Sequence, residues 1–208
     1  MRLVAAGLAL VVAADLVTVA ARSGSDDVGS ARPAPTASPT AAVPLADADL
    51  EGRLPGPGGF TRVDDTASRL GDLTVSGFAS RFSSSAAEAQ TSEQGLRLLG
   101  FEASRGHLWS GDEGLYGCVI VRLATRKGAD RLLASSREDA TGTFTSATVP
   151  GAFTFVDEVE GFSVQHGLFV RDRFVYEVTL TTLEPETDHA VFDRLLLAQR
   201  DHAERSDP

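Results

Sequence analysis

Four histidines, one cysteine and a single tight run of carboxylates are the residues here whose chemistry could reach beyond packing. His107, His166, His189 and His202 could move protons or ligate a metal. Their spacing supports neither role: His189 and His202 share a predicted helix but lie thirteen positions apart, and no HExxH or related pair occurs. His166 falls on the apolar face of a predicted strand, where a neutral, hydrogen-bonded core histidine is the plainer reading than a ligand or a general base. His107 sits near Trp109 in another predicted strand, and a place on a binding surface is its functional alternative. Asp157, Glu158 and Glu160 bunch as paired catalytic acids do, yet a solvated loop accounts for them. Ser163, in Gly161-Phe162-Ser163-Val164-Gln165, lacks the second glycine of a nucleophile elbow. Ser110–Gly114 has no calcium-ligand spacing, and Gly56-Pro57-Gly58-Gly59 precedes no helix fit for phosphate. Cys118 is the only cysteine and lies in the apolar run Leu115–Leu123, so it reads as a small buried side chain without a disulfide partner. No catalytic, cofactor-binding or metal residue is assigned, and no cofactor is implied.

The elements that would position these residues follow from periodicity and punctuation. Phe60–Val63 reads as a short opening strand and Thr74–Phe82 as a short amphipathic helix. Ser85-Ala86-Ala87-Glu88 is a capping box opening a helix to Leu99, with Gly100 as its left-handed stop. Phe101–Ser110 and Leu115–Ala124 form strands joined at Gly111–Gly114. The second is apolar on both sides, which makes it a covered central strand. Thr125 caps a helix to Asp139, with Ala129, Leu132, Leu133 and Ser136 inward. Phe144–Phe155 reads as a loop running into an edge strand. In Gly161–Leu183, parity favours a three-residue loop, Arg171-Asp172-Arg173. That register pairs Val170 with Phe174, Leu168 with Tyr176 and His166 with Val178, placing all the apolar positions on one face. A last helix, about Glu186 to Glu204, carries a stripe of Val191, Leu195, Ala198 and His202, with Phe192 and Leu196 beside it. The fold class is α+β: an antiparallel β-sheet with helices packed on it.

The N-terminal third sets the expected location. Leu3–Ala21 is a nineteen-residue apolar segment behind Arg2, broken only by Asp15. Its first twelve residues fit the apolar region of a signal peptide, with Val19-Ala20-Ala21 as small residues for cleavage. Counted whole, it is just long enough for an uncleaved membrane anchor. Both readings place the rest of the chain outside the cytoplasm. On the anchor reading only Met1 and Arg2 stay inside, so the chain is not expected to act alone as a transmembrane receptor. Residues 22–57 hold six of the nine prolines and few large apolar side chains, as a disordered Pro/Ala/Ser/Thr-rich linker does. Residues 58–205 then make a single α+β globular domain. The chain has no asparagine, so Asn-linked glycosylation is excluded. A net charge of −10 without a basic patch argues against nucleic acid and against an anionic membrane surface. Eighteen of the nineteen basic residues are Arg, which with the heavy Ala and Gly usage suggests a high-GC genome.

Several stretches resemble a type of uncharacterised actinobacterial envelope protein, secreted or membrane-anchored. They are Gly100-Phe101 with Trp109 downstream, Val149-Pro150-Gly151, the Phe169–Val178 hairpin and Leu195–Arg200, together spanning roughly residues 95–202. More loosely, the order of elements is similar to PsbP/Mog1-like domains of mycobacterial-type surface lipoproteins, although the lipobox cysteine is missing. The resemblance implies a fold and a location and carries over no catalytic residue. The function expected is that of an exported, non-enzymatic cell-envelope protein binding an unidentified protein, glycan or lipid partner. The alternatives are an enzyme acting on envelope material, which needs His107 or His166 exposed in a cleft, and a carrier of an apolar small ligand. The carrier needs space between the 162–182 hairpin and the last helix.

Overall fold

Side-chain caps set where the chain passes from extended backbone to helix. Thr74, Ser85 and Thr125 all have extended backbone, and each side-chain oxygen accepts a hydrogen bond from the N–H three residues on, at Gly77, Glu88 and Gly128. Gly100 ends the second of these helices at φ 81°, a left-handed conformation that Cβ-bearing residues avoid.

The computed structural model describes residues 48–206 apart from 69, 84, 141–143, 146–147, 160–161 and 184–188. In chain order the helices are α1 (Ala48–Gly52), α2 (Asp65–Ser68), α3 (Val75–Arg81), α4 (Ala86–Leu99), α5 (Arg126–Asp139) and α6 (His189–Arg205). The strands are β1 (Thr61–Arg62), β2 (Asp72–Leu73), β3 (Phe101–Gly111), β4 (Gly114–Leu123), β5 (Phe144–Thr145), β6 (Phe153–Val159), β7 (Phe162–Arg171) and β8 (Phe174–Thr182). They form one antiparallel sheet in the order β1-β3-β4-β8-β7-β6-β5, with β2 also paired to β3. The fold is thus α+β, an antiparallel sheet with helices packed on it. Leu3–Ala21 and most of the 22–57 stretch lie outside the described residues, as do Glu160 and the expected start of the last helix at Glu186. Among the described residues no helix is long and apolar enough to cross a membrane.

Helices cover both faces of the sheet. On one face Phe78, Phe82, Leu96 and Leu132 pack on Leu108, Val119, Val121, Leu168 and Val175. On the other, Leu50, Leu54, Phe192, Leu195 and Leu196 pack on Trp109, Tyr116, Ile120, Tyr176, Val178 and Leu180. β4 is therefore the covered central strand its composition predicts.

This two-sided covering corrects the register of the last hairpin. Arg171 pairs with Phe174, Val170 with Val175 and His166 with Thr179, across a two-residue Asp172-Arg173 loop with Asp172 at φ 49°. Parity selects a register only when one face is wet. Here both side-chain sets of β8 are buried, so apolar residues on both faces are compatible with the shorter loop. The stripe of α6 is also rotated from the predicted one. Phe192, Leu195, Leu196, Gln199 and Ala203 are buried, whereas Ala198 is exposed. Gln199 turns inward because its amide donates to the Arg53 carbonyl at 2.8 Å.

Gly128 lets α5 begin against the end of α4: a Cβ there would lie 2.3 Å from the Leu99 carbonyl oxygen. Alanine is the better helix former by roughly 1 kcal/mol, but a clash with backbone costs about 1–3 kcal/mol. Gly128→Ala is therefore expected to lower unfolding stability in urea by about 1 kcal/mol net. An increase would show that the two helices separate freely.

Candidate functional site

His107 lies on β3 with its side chain fully buried, at the centre of an ionic cluster. Its Nε2 is 2.9 Å from Glu51 Oε2 on α1, and its Nδ1 is 3.1 Å from Asp65 Oδ1 at the start of α2. Arg62 of β1 reaches Glu51 Oε1 at 2.8 Å and Asp65 Oδ2 at 2.9 Å, with Nη2 also 2.9 Å from Nδ1 of His107. Arg105 reaches Glu51 Oε2 at 2.6 Å and Asp72 Oδ1 at 2.8 Å. Three carboxylates thus face two guanidiniums and one imidazole, and the cluster is neutral when the imidazole is protonated. Burial works against the Glu51 carboxylate. Hydrogen bonds from His107 and Arg62, with the charges of His107 and Arg105, outweigh it and hold the Glu51 pKa below its ordinary value. These groups engage one another, so the cluster is a clamp holding residues 51–72 to β3. His107 itself is enclosed, while the Glu51, Arg62 and Asp72 side chains around it stay partly open to solvent.

A second imidazole sits on the opposite face of the sheet. His166 is fully buried on β7, with Nδ1 3.1 Å from Glu177 Oε1 on β8 and Nε2 3.7 Å from Asp157 Oδ2 on β6. The Phe155 ring lies parallel to it, with centroids 4.4 Å apart. Burial raises the Glu177 pKa; His166 opposes that rise and the Asp157 charge adds to it. The second oxygen of Glu177, Nε2 of His166 and the hydroxyls of Thr179 and Thr181 are buried without a hydrogen-bond partner. His166 is thus a hydrogen-bonded core histidine, as expected. Asp157 and Glu158 stand on β6 rather than in a loop, because the strand runs to Val159.

The remaining candidates are scattered over the fold. Cys118 is buried, and burial first, then the nearby Glu177, push its thiol pKa far up against a hydrogen bond with Tyr116. Ser163 is buried on β7. The Gln165 amide donates to Nδ1 of His189 at 3.2 Å, and Nε2 of His202 donates to the Gly52 carbonyl at 2.7 Å. Among the described residues no cluster of three or more His, Cys, Asp or Glu side chains could hold a metal ion.

A concave surface lies elsewhere. A cleft of about 420 Å³ opens between α5, the turn at 149–151, the end of β7 and α6. Its rim carries Arg126, Arg171 and Arg200, and its walls include Leu133, Val149 and Phe169. Arg126 Nε donates to Asp130 Oδ1 at 2.8 Å; Arg200 Nε and Nη2 donate to Glu204 Oε1 at 3.0 and 2.8 Å. Its volume falls within the usual range of small-molecule sites. No motif marks it, because its residues come from segments up to about eighty positions apart. The stretches that carry the sequence resemblance supply part of it, through Val149-Pro150-Gly151, Phe169–Arg171 and Arg200.

Compared with models of protein families and with curated proteins, the chain matches none. Among solved structures it is similar to the extracellular domain of PknH from Mycobacterium tuberculosis, with 15% identity and a TM-score of 0.40. That match covers 55% of this chain and 71% of the other.

The two perturbed carboxyls should give opposite pH dependences. Glu51 has a lowered pKa, so its contribution to stability is present above the ordinary value of 4.5 and is lost as pH falls through the folded value. Glu51→Gln should melt below the native protein at pH 7, with the difference shrinking toward pH 3. Glu177 has a raised pKa, so its contribution is present below the unfolded value and is lost as pH rises through the folded one. Melting curves of Glu177→Gln should therefore gain on the native protein as pH rises from 4 to 7. Parallel slopes for the two variants would contradict the assignment.

Proposed function

We propose that this chain is an exported, non-enzymatic domain of the cell envelope that binds a protein, glycan or lipid partner in the cleft between α5 and α6. The cleft carries this reading, because it combines charged groups at the rim with an apolar wall. Export rests on the apolar Leu3–Ala21 segment and the proline-rich stretch behind it. The chain is either released or anchored by residues 3–21, outside the cytoplasm.

The geometry favours binding over the two alternatives. The enzymatic reading needs an imidazole exposed in a cleft; His107 and His166 are both fully buried against carboxylates. The carrier reading needs room between the last hairpin and the last helix. There Tyr176, Val178 and Leu180 lie in one buried cluster with Phe192, Leu195 and Leu196.

The segment behind the spacer is tied to the domain. Leu50 and Leu54 are buried, and the Arg53 guanidinium lies 4.1 Å from the Phe174 ring centroid. A partner held in the cleft would thus be held firmly relative to the spacer.

Leu133→Trp fills the cleft from α5. Thermal-shift titration with envelope lipids, glycans and peptides should find a class that raises the native melting temperature and leaves that of Leu133→Trp unchanged. Equal shifts in both proteins, or none across the panel, would remove the cleft as the binding surface. Location has its own test: intact mass in the membrane fraction, or a product beginning near Arg22 in the culture fluid. Recovery from the cytoplasm would overturn export.

A further inference from the structure

The geometry points to an anionic amphiphile as the ligand of the cleft, its phosphate or carboxylate among Arg126, Arg171 and Arg200 and its apolar part along Leu133, Pro150 and Val170. This deepens the binding reading above and rests on it.

Charge distribution motivates the anion. In a protein of net charge −10, three guanidiniums from α5, β7 and α6 converge on one cleft. The two acids beside them, Asp130 and Glu204, sit one helical turn along from Arg126 and Arg200 and engage only part of each guanidinium. Arg126 uses Nε alone toward Asp130, leaving both Nη groups to donate. Arg200 directs Nε and Nη2 at a single oxygen, leaving Nη1. Planar forks of this kind match the oxygen pairs of phosphate and carboxylate.

Helix α5 adds an independent argument. Its first two residues are Arg126 and Lys127, and its first turn holds no acid. Cations at the positive end of a helix dipole are unfavourable, while an anion is favoured there. An anionic guest beside Arg126 would reverse that local penalty.

The walls argue for the apolar part. Leu133 and Val170 are half-buried and Pro150 is exposed, so the cleft offers an apolar lining that inorganic phosphate leaves unused.

The test is calorimetric titration of the full chain with hexyl phosphate, hexyl glucoside and inorganic phosphate, each below micelle formation. Three variants accompany the native chain: Arg126→Gln with Arg200→Gln, the matching Arg→Lys pair, and Leu133→Trp. The arginine variants should fold, because each arginine pairs within its own exposed helix face and such pairs stabilise little. Hexyl phosphate should bind the native chain, weaken with added salt, and bind the double Gln variant about tenfold or more less tightly. The Lys pair should fall between, keeping charge without the fork. Equal binding of hexyl glucoside and hexyl phosphate, both lost in Leu133→Trp, would overturn the anion while leaving the cleft as the site. Inorganic phosphate binding as tightly as hexyl phosphate would overturn the amphiphile in favour of a free anion. Binding that survives every variant, or none at all, would overturn the cleft reading itself.

Discussion

Strands β4, β8 and β7 have helices against both faces, so neither set of their alternating side chains is left to water. This constraint governs most of what is particular about the molecule. Apolar residues can follow one another along these strands without regard to alternation. Any polar side chain there must meet a protein partner or remain unpaired, at about 1–3 kcal/mol for each buried group. His166 and Glu177 meet each other; Thr179, Thr181 and the second Glu177 oxygen do not find a protein partner. Burial also raises the pKa of the Glu177 carboxyl and of the Cys118 thiol.

Covering the second face requires more than the last helix. The β3 side is closed by α1 and the chain that follows it, where Leu50 and Leu54 join Trp109 and Tyr116 in one cluster. The His107 cluster pins the same segment from its polar side, and α6 pins it from below through Gln199 to Arg53 and His202 to Gly52. Helix α6 therefore has two roles. One part holds the segment emerging from the proline-rich stretch, while Arg200 and Glu204 border the cleft. The chain from α1 to Leu54 and the proposed recognition surface both rest on this one helix.

The cleft differs from the two histidine clusters in how its charges are used. Around His107, carboxylates and cations from different elements are matched to one another about the buried imidazole. At the cleft, Arg126 and Arg200 lie on separate helices and each pairs with an acid one turn along its own helix. Such pairs are weak and solvent-screened, so the guanidiniums of Arg126 and Arg200 can turn toward an incoming group at small cost.

By itself, the sequence determined what depends on neighbours in the chain. Thr74, Ser85, Thr125 and Gly100 mark helix ends because a cap bond spans only a few residues. The apolar run around Cys118 is enough to make β4 central and its thiol buried. Tertiary structure alone decided the rest. His107 meets Glu51 and Asp65 across 56 and 42 positions, and Glu51 lies in a stretch whose composition reads as linker. The β7–β8 register depended on whether the second face is wet, which only the placement of the helices settles. The cleft arises where four distant segments converge, and no local period encodes it. Capping and periodicity are short-range properties of a chain, whereas register, ion pairing and concavity are set by which distant surfaces exclude water from one another.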